Sequence, residues 1–332
     1  MTTHLLVGNP TAQSGKNAAR IDLAIAELRA AGIACDLTPT LPGGATIGAV
    51  RDALRGKSYA CAIAMGGDGT FREVAAGILE SGRADEVSLA MLPTGTANDQ
   101  GRSFGILAGD DQLAQNVAVI AAANETRLDA GRLESVESAK KTWFFDSAGW
   151  GLSARVLAAR NEDREIVETV PGLRVVYRDQ LVYAGAFLRT FLESYVADDT
   201  FAVDAVLDGE RITIDGVTDL IVKGTRIYGG AWVFDRTCRH DDGAFELIPF
   251  RGKVDWTSKA IIGLDGNPIT EELLDSIGVE HSKVIRASRF DLRFRPSAPA
   301  AQIDGEELDA ARHIRIEAVA RALRLIVPKE PA

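Results

Sequence analysis

Apolar residues in the first third of the chain come as short continuous runs, with longer stretches of helical spacing between them. Leu5-Leu6-Val7-Gly8, Ile33 to Leu37, Tyr59 to Met65 and Ser88 to Leu92 are too short for independent helices and read as buried strands. Ile21, Leu23, Ala24, Ile25 and Leu28 make one helical face that stops at Gly32. Ile47, Val50 and Leu54 make a second, and Phe71, Val74, Ala75, Ile78 and Leu79 a third. Strands alternating with helices imply a parallel sheet covered on both sides, with ligands at the carboxyl ends of its strands.

Beyond residue 125 the period changes. Thr142 to Phe145, Thr200 to Leu207, Arg211 to Ile214, Leu220 to Val222, Ala244 to Pro249, Phe290 to Phe294 and His313 to Ile326 alternate as antiparallel strands do. The pattern therefore predicts an α/β domain with a parallel sheet over residues 1–125, followed by a mainly antiparallel β domain over 126–332 whose last segment is free to return to the first. One helical face, Leu173 to Tyr195, interrupts the β pattern and packs on that domain in the plainest reading. Pro328 to Ala332 read as a frayed tail.

The strand Tyr59 to Met65 runs into Gly66-Gly67-Asp68-Gly69-Thr70-Phe71-Arg72, so the glycines stand on a strand-to-helix turn. Such a sequence is an ordinary turn or an anion site, since the free amides and positive dipole end of a helix start favour a phosphate. Two familiar phosphate loops are excluded. Six residues lie between Gly8 and Gly15-Lys16, with Asn17 after them, unlike a P-loop, and Arg72 stands where a dinucleotide fingerprint needs its third glycine. A carboxylate inside a glycine turn suits a phosphate that carries a metal ion.

Composition narrows the classes. With 46% hydrophobic and 25% charged residues, the 332-residue chain suits a globular protein of two domains. A net charge of −10 argues against nucleic acid as a partner and against strong static binding to anionic lipid. No stretch has the length of a spanning helix and no leader pattern opens the chain, so the expected location is the cytoplasm. Cys35, Cys61 and Cys238 are odd in number and widely spaced, which predicts free thiols. The scattered His4, His240, His281 and His313, with no His-Glu-x-x-His or Gly-x-Ser-x-Gly segment, argue against a zinc enzyme or a hydrolase.

Gly66-Gly67-Asp68-Gly69-Thr70, then Pro93-Thr94-Gly95-Thr96-Ala97-Asn98-Asp99, with Asn9-Pro10 near the start and Asp304-Gly305-Glu306 near the end, resembles the catalytic domain of the diacylglycerol kinase and sphingosine kinase superfamily, and within it the bacterial lipid kinases. The resemblance covers nearly the whole chain. It implies a nucleotide-binding domain of NAD kinase and diacylglycerol kinase type, ATP and Mg2+ as cofactors, a lipid acceptor met transiently at a membrane surface, and compatibility with a homodimer.

Residue by residue, the resemblance assigns the nucleotide to Asn9, Pro10, Thr40 (in Thr-x-x-Gly-x-Ala with Gly43 and Ala45), Gly66, Gly67, Asp68, Gly69, Thr70, Arg72, Thr96 and Asn98. Asp68 is the magnesium candidate, or caps the following helix. Asn98 and Asp99 orient the phosphates or acceptor, or cap the next short helix. Glu306 stands at the proton-acceptor position; read alone, Asp-Gly-Glu is a hairpin turn with solvated acids. Asp304 assists at the metal or fixes the turn. Arg239-His240-Asp241-Asp242-Gly243-Ala244 resembles a structural magnesium element involving Asp242 and the carbonyls of Arg239 and Ala244, although Tyr228 to Arg236 upstream departs from the family pattern. Under the resemblance the aromatic end of the Leu173 to Tyr195 face lines an acyl pocket, and Trp150 and Trp232 pack in cores or border a lipid entrance. Two rival readings are a phosphotransferase on a soluble acceptor, as in NAD kinases, and a nucleotide- or lipid-binding module without catalysis.

Overall fold

The structure is a computed structural model that describes residues 3–10, 16–95, 98–155, 157–158, 200–229, 232–252, 255–256, 259 and 282–329. The N-terminal half begins β1 (Thr3–Gly8), α1 (Lys16–Ala30), β2 (Ala34–Pro39), α2 (Ala45–Gly56), β3 (Cys61–Gly66), α3 (Asp68–Ser81) and β4 (Ser88–Pro93). The strands lie parallel in the order β2-β1-β3-β4. Their alternation sorts side chains between two helical layers. Leu5 and Val7 of β1 pack with Val50, Leu54 and Val74 of α2 and α3, whereas Leu6 packs with Ile21 and Leu28 of α1 on the other face. Burial on both faces is why β1, β3 and β4 read as unbroken apolar runs, whereas the edge strand β2 is only partly covered.

Two further helices follow, α4 (Asp99–Ser103) and α5 (Leu113–Ala122), and then the β-rich part: β5 (Glu125–Ser135), β6 (Lys141–Phe144), β7 (Ser147–Gly151), β8 (Phe201–Leu207), β9 (Glu210–Val217), β10 (Asp219–Lys223), β11 (Phe245–Phe250), β12 (Ile285–Ala287), β13 (Arg289–Arg295), β14 (Ala301–Ile303), β15 (Glu306–Leu308) and β16 (His313–Ile326). β16 joins the two halves. Its end, Arg324 and Leu325, lies parallel to Ser88 and Leu89 of β4, while its beginning runs antiparallel to β13 and its length to β5. The parallel sheet thus continues through β16 into β13, β8 and β9. A second, antiparallel sheet has the order β12-β11-β10-β7-β14-β15, and a core containing Phe144, Trp150, Phe245, Leu292 and Phe294 fills the space between the sheets.

β5, β7, β12, β15 and α5 are elements that the apolar pattern does not announce. Trp150 is fully buried with its ring 5.5 Å from that of Phe294, so it is a core residue and borders no entrance. Cys35, Cys61 and Cys238 are free thiols, and burial pushes each above its ordinary pKa. The Leu173 to Tyr195 face lies outside the described residues. Among the described residues no helix is long and apolar enough to cross a membrane.

Candidate active site

β3 ends at Gly66 and the chain enters α3 at Asp68 with no side chain capping that helix at Gly67, which leaves its first amides facing the sheet's carboxyl edge. The turn after β4 lies directly against it. Thr94 N donates to Gly66 O at 2.9 Å, and a Cβ on Gly95 would stand 2.7 Å from the Cα of Gly67. Only two glycines let these main chains touch.

Asp68 is the first residue of α3 but caps a different helix. Its carboxylate accepts the amide of Gln100 at 3.2 Å and is also hydrogen-bonded by the amides of Asn98 and Asp99, at the start of α4. Burial, and then the charge of Asp146, push its pKa up. Asn98, at φ 50°, closes the preceding loop: its Oδ1 accepts Gly95 N at 3.1 Å and its Nδ2 donates to Gly95 O at 2.6 Å. Asp99 accepts the amide of Gly229 at 2.6 Å, and burial followed by Asp146 pushes its carboxyl up to about 7. These side chains lie under the turn and hold its shape. Thr96 lies outside the described residues.

The opposite wall is a hairpin of the second sheet. Asp304 and Gly305, at φ 45° and 77°, form the two-residue connection between β14 and β15, with Ile303 paired to Glu306. The Asp304 carboxylate accepts the amides of Phe145 (2.9 Å), Asp146 (2.8 Å) and Ser147 (3.0 Å), which ties the hairpin tip to the link between β6 and β7. Burial, reinforced by Asp146, pushes Asp304 up to about 7. Asp146 itself is buried against Lys223, Nζ to Oδ1 at 2.7 Å, with Ser147 and Thr225 hydroxyls donating to it.

Two residues beyond Asp304, Glu306 is half-exposed and faces α3. Its carboxylate forms an ion pair with Arg72, and a Cβ on Gly69 would meet Glu306 Oε1 at 2.4 Å. Asn9, Thr40, Gly67, Gly69, Thr70, Arg72 and Glu306 all line one cleft of about 690 Å³. Thr40 is held there by the hydrogen bond its amide donates to Gly8 O at 3.0 Å, and the loop behind it by Thr46, whose hydroxyl both accepts from Leu41 N (2.9 Å) and donates to Leu41 O (3.1 Å). Gly66, Asp68 and Asn98 support the cleft from below, and Pro10 follows Asn9 at the end of β1. Lys140, Thr142, Glu307 and Leu308 complete the far wall. No sequence signal pointed to them, because they join the cleft only through the pairing of β5 with β6 and of β14 with β15. A groove of similar size, about 700 Å³, lies on the outer sheet face and takes in the Asp208-Gly209 turn, but its arginines and acids neutralise one another, as in Arg315 to Asp291 at 3.0 Å, and no helix start lines it.

The turn Arg239 to Ala244 is elsewhere. The cation partner of Asp242 is Arg286, and Asp242 Oδ1 also accepts Ala244 N at 3.1 Å; Arg239 holds Asp241 at 3.1 Å. Asp129 binds the turn through Gly243 N at 2.6 Å, and the ring of His240 packs on Phe104 next to α4, centroids 4.9 Å apart. Among the described residues no cluster of three or more His, Cys, Asp or Glu side chains is placed to hold a metal ion. Asp68 is the carboxylate in the turn itself, with Asp146 and Asp99 close enough for like charges to be felt. The Asp68 carboxylate is engaged by the α4 amides beneath the turn and lines no part of the cleft, so the residues present form no all-protein cage, and a magnesium ion there would be held mainly by water and substrate phosphates.

Residues 3–133 match the family model of the diacylglycerol kinase catalytic domain. The chain is 29% identical over 310 residues to a Pseudomonas aeruginosa protein named probable lipid kinase YegS-like, covering 92% of this chain and 88% of that one. It is 27% identical to the Pseudomonas putida protein of the same name, covering 95% and 93%. A crystal structure of a diacylglycerol kinase from Bacillus anthracis superposes with a TM-score of 0.70 at 18% identity, over 98% of this chain and 97% of that one, so the fold is shared.

Proposed function

We propose that this chain, a member of the diacylglycerol kinase catalytic-domain superfamily, transfers the terminal phosphoryl group of ATP to a primary hydroxyl of a diacylglycerol-like or sphingoid lipid. The observation that carries the proposal is the meeting of Glu306, from the second sheet, with the glycine turn of the first, inside one cleft. In this reading residues 1–125 bind the nucleotide and 126–332 present the acceptor.

The first amides of α3 and the fork of Arg72 receive the triphosphate, with Thr70, Thr40 and Asn9 along its length. Asp68 is the residue that would hold magnesium through water, and the ion would spread charge over the phosphates. Glu306 accepts the hydroxyl proton. An alcohol is far less acidic than a carboxylic acid, so the proton moves as the new oxygen–phosphorus bond forms and the bond to ADP breaks. Fixing the acceptor against the phosphate supplies much of the rate. A magnesium site at Asp242 with the carbonyls of Arg239 and Ala244 would have to displace Arg286, and no step depends on it. With a net charge of −10 the protein works from the cytoplasm and visits membranes briefly.

Transfer from labelled ATP to a panel of diacylglycerols and sphingoid bases in mixed micelles, with the products identified by mass spectrometry, tests the proposal. A phosphorylated lipid is the expected product. Phosphorylation of NAD in place of every lipid, or ATP binding with no transfer at all, would replace it with one of the two rival readings.

A further inference from the structure

Arg72 sits on the first turns of α3, three residues after Gly69, and helical side chains lean toward the N-terminus of their helix. It therefore points at the mouth where the free amides of α3 gather. The residue is 8% exposed, and only part of its donor fork is in use toward Glu306: Nη2 meets Glu306 Oε2, while Nε is buried with no hydrogen-bond partner. A buried guanidinium edge with one nitrogen engaged and its neighbour unsatisfied is arranged for a ligand that fills both. A phosphate oxyanion does this through two parallel hydrogen bonds, which the single contact to Glu306 does not.

We infer that Arg72 is an exchange latch: without nucleotide it holds the Glu306 carboxylate, and when a triphosphate enters it turns to the phosphate oxygens and releases Glu306 to meet the hydroxyl. The inference rests on the ATP reading above and adds its regulation. Glu306 and the triphosphate are two anions competing for one cation. The general base is thus uncovered only after the phosphoryl donor is in place, and nucleotide binding precedes productive engagement of the acceptor. The geometry permits the exchange because Glu306 is half-exposed on a hairpin end whose anchor is the neighbouring Asp304, so its side chain moves without disturbing the wall.

Calorimetric titration with AMP-PNP and magnesium, in the absence of lipid, reads the competition directly. Glu306→Gln removes the competitor and is expected to tighten AMP-PNP binding about two- to fivefold, the scale of a partly exposed ion pair. The same substitution in an Arg72→Met background, which keeps the packing of the buried stem, should change affinity little, and Arg72→Met alone should weaken binding. Equal tightening in both backgrounds would mean plain charge repulsion and would overturn the latch, as would unchanged or weaker binding by Glu306→Gln. Failure of the wild type to bind AMP-PNP would instead remove the ATP reading itself. Thermal unfolding of each variant separates loss of binding from loss of fold, and should Arg72→Met be unfolded, Arg72→Lys takes its place, with the tightening by Glu306→Gln expected to shrink as the fork becomes a single point of charge.

Discussion

Asp304 and Glu306 are two residues apart and carry the same functional group, yet their surroundings give them opposite work. Asp304 is buried beneath three amides that it accepts from Phe145, Asp146 and Ser147, whereas Glu306 is half-exposed at the cleft. Asp304→Ala should therefore lower stability by roughly 3 kcal/mol or more, since each unpaired buried donor costs about 1–3 kcal/mol. Urea unfolding measures this, and a loss near zero would show the amides finding other partners. The sequence shows a turn at Asp-Gly-Glu, but the amides that decide between the roles of Asp304 lie far away in the chain. Asp219 gives a second case at this scale. Burial, against the bonds from Ser153, pushes its carboxyl up to about 7, and its Oδ2 has no partner. From its unfolded value near 4 up to that raised value, the folded protein keeps a proton that the unfolded chain has lost, so this residue makes stability fall as pH rises from about 4 to about 7, by at most about 1.4 kcal/mol per pH unit. Asp219→Asn should remove that part of the slope in urea unfolding between pH 5 and 7. An unchanged slope would mean that Asp219 is ionised in the fold.

The elements that shape the cleft are two glycine turns and one hairpin, and a methyl group distinguishes their tolerances. On Gly95 it would meet the backbone of Gly67 at 2.7 Å, and neither main chain has room to give. On Gly69 it would meet only the carboxylate of Glu306, the far end of a flexible side chain. Gly95→Ala should separate the turns and weaken nucleotide binding at least about tenfold, together with a lowered Tm. Gly69→Ala should keep Tm close to wild type while turnover falls by about tenfold or more through displaced positioning of Glu306. Equal tolerance of both changes would contradict this packing. The strands and helices up to β4 are legible because the sheet is buried on both faces and its helices carry a clear 3.6-residue period. β5 is not. Asp129 and Gly131 fall within its run of four buried residues and break the apolar alternation, because Asp129 is inside to bind the Arg239 to Ala244 turn through Gly243 N and Arg321 N. β12 and β15 span three residues each and carry no period to read.

At the scale of the molecule, acids drawn from separate elements gather beneath the cleft around the buried cation Lys223, Asp68 and Asp99 from the first half and Asp146 and Asp304 from the β side, and the bond from Gly229 N to Asp99 ties the two sides together. This explains how an acid near the end of the chain comes to face a turn near its beginning. The four motifs pointed to a common site, but the convergence itself arises from β16 returning to β4 and from the hairpin anchored by Asp304, both of which depend on pairing between distant segments. The central claim is that Glu306 takes the acceptor's proton while the α3 turn holds the phosphoryl donor. Single-turnover transfer of labelled phosphate from ATP to the preferred lipid, compared between wild type and Glu306→Gln at saturating nucleotide, tests it most directly. The rate should fall by about 10²- to 10⁴-fold, the span of general base catalysis, with Tm retained, and transfer within a few-fold of wild type would contradict the account.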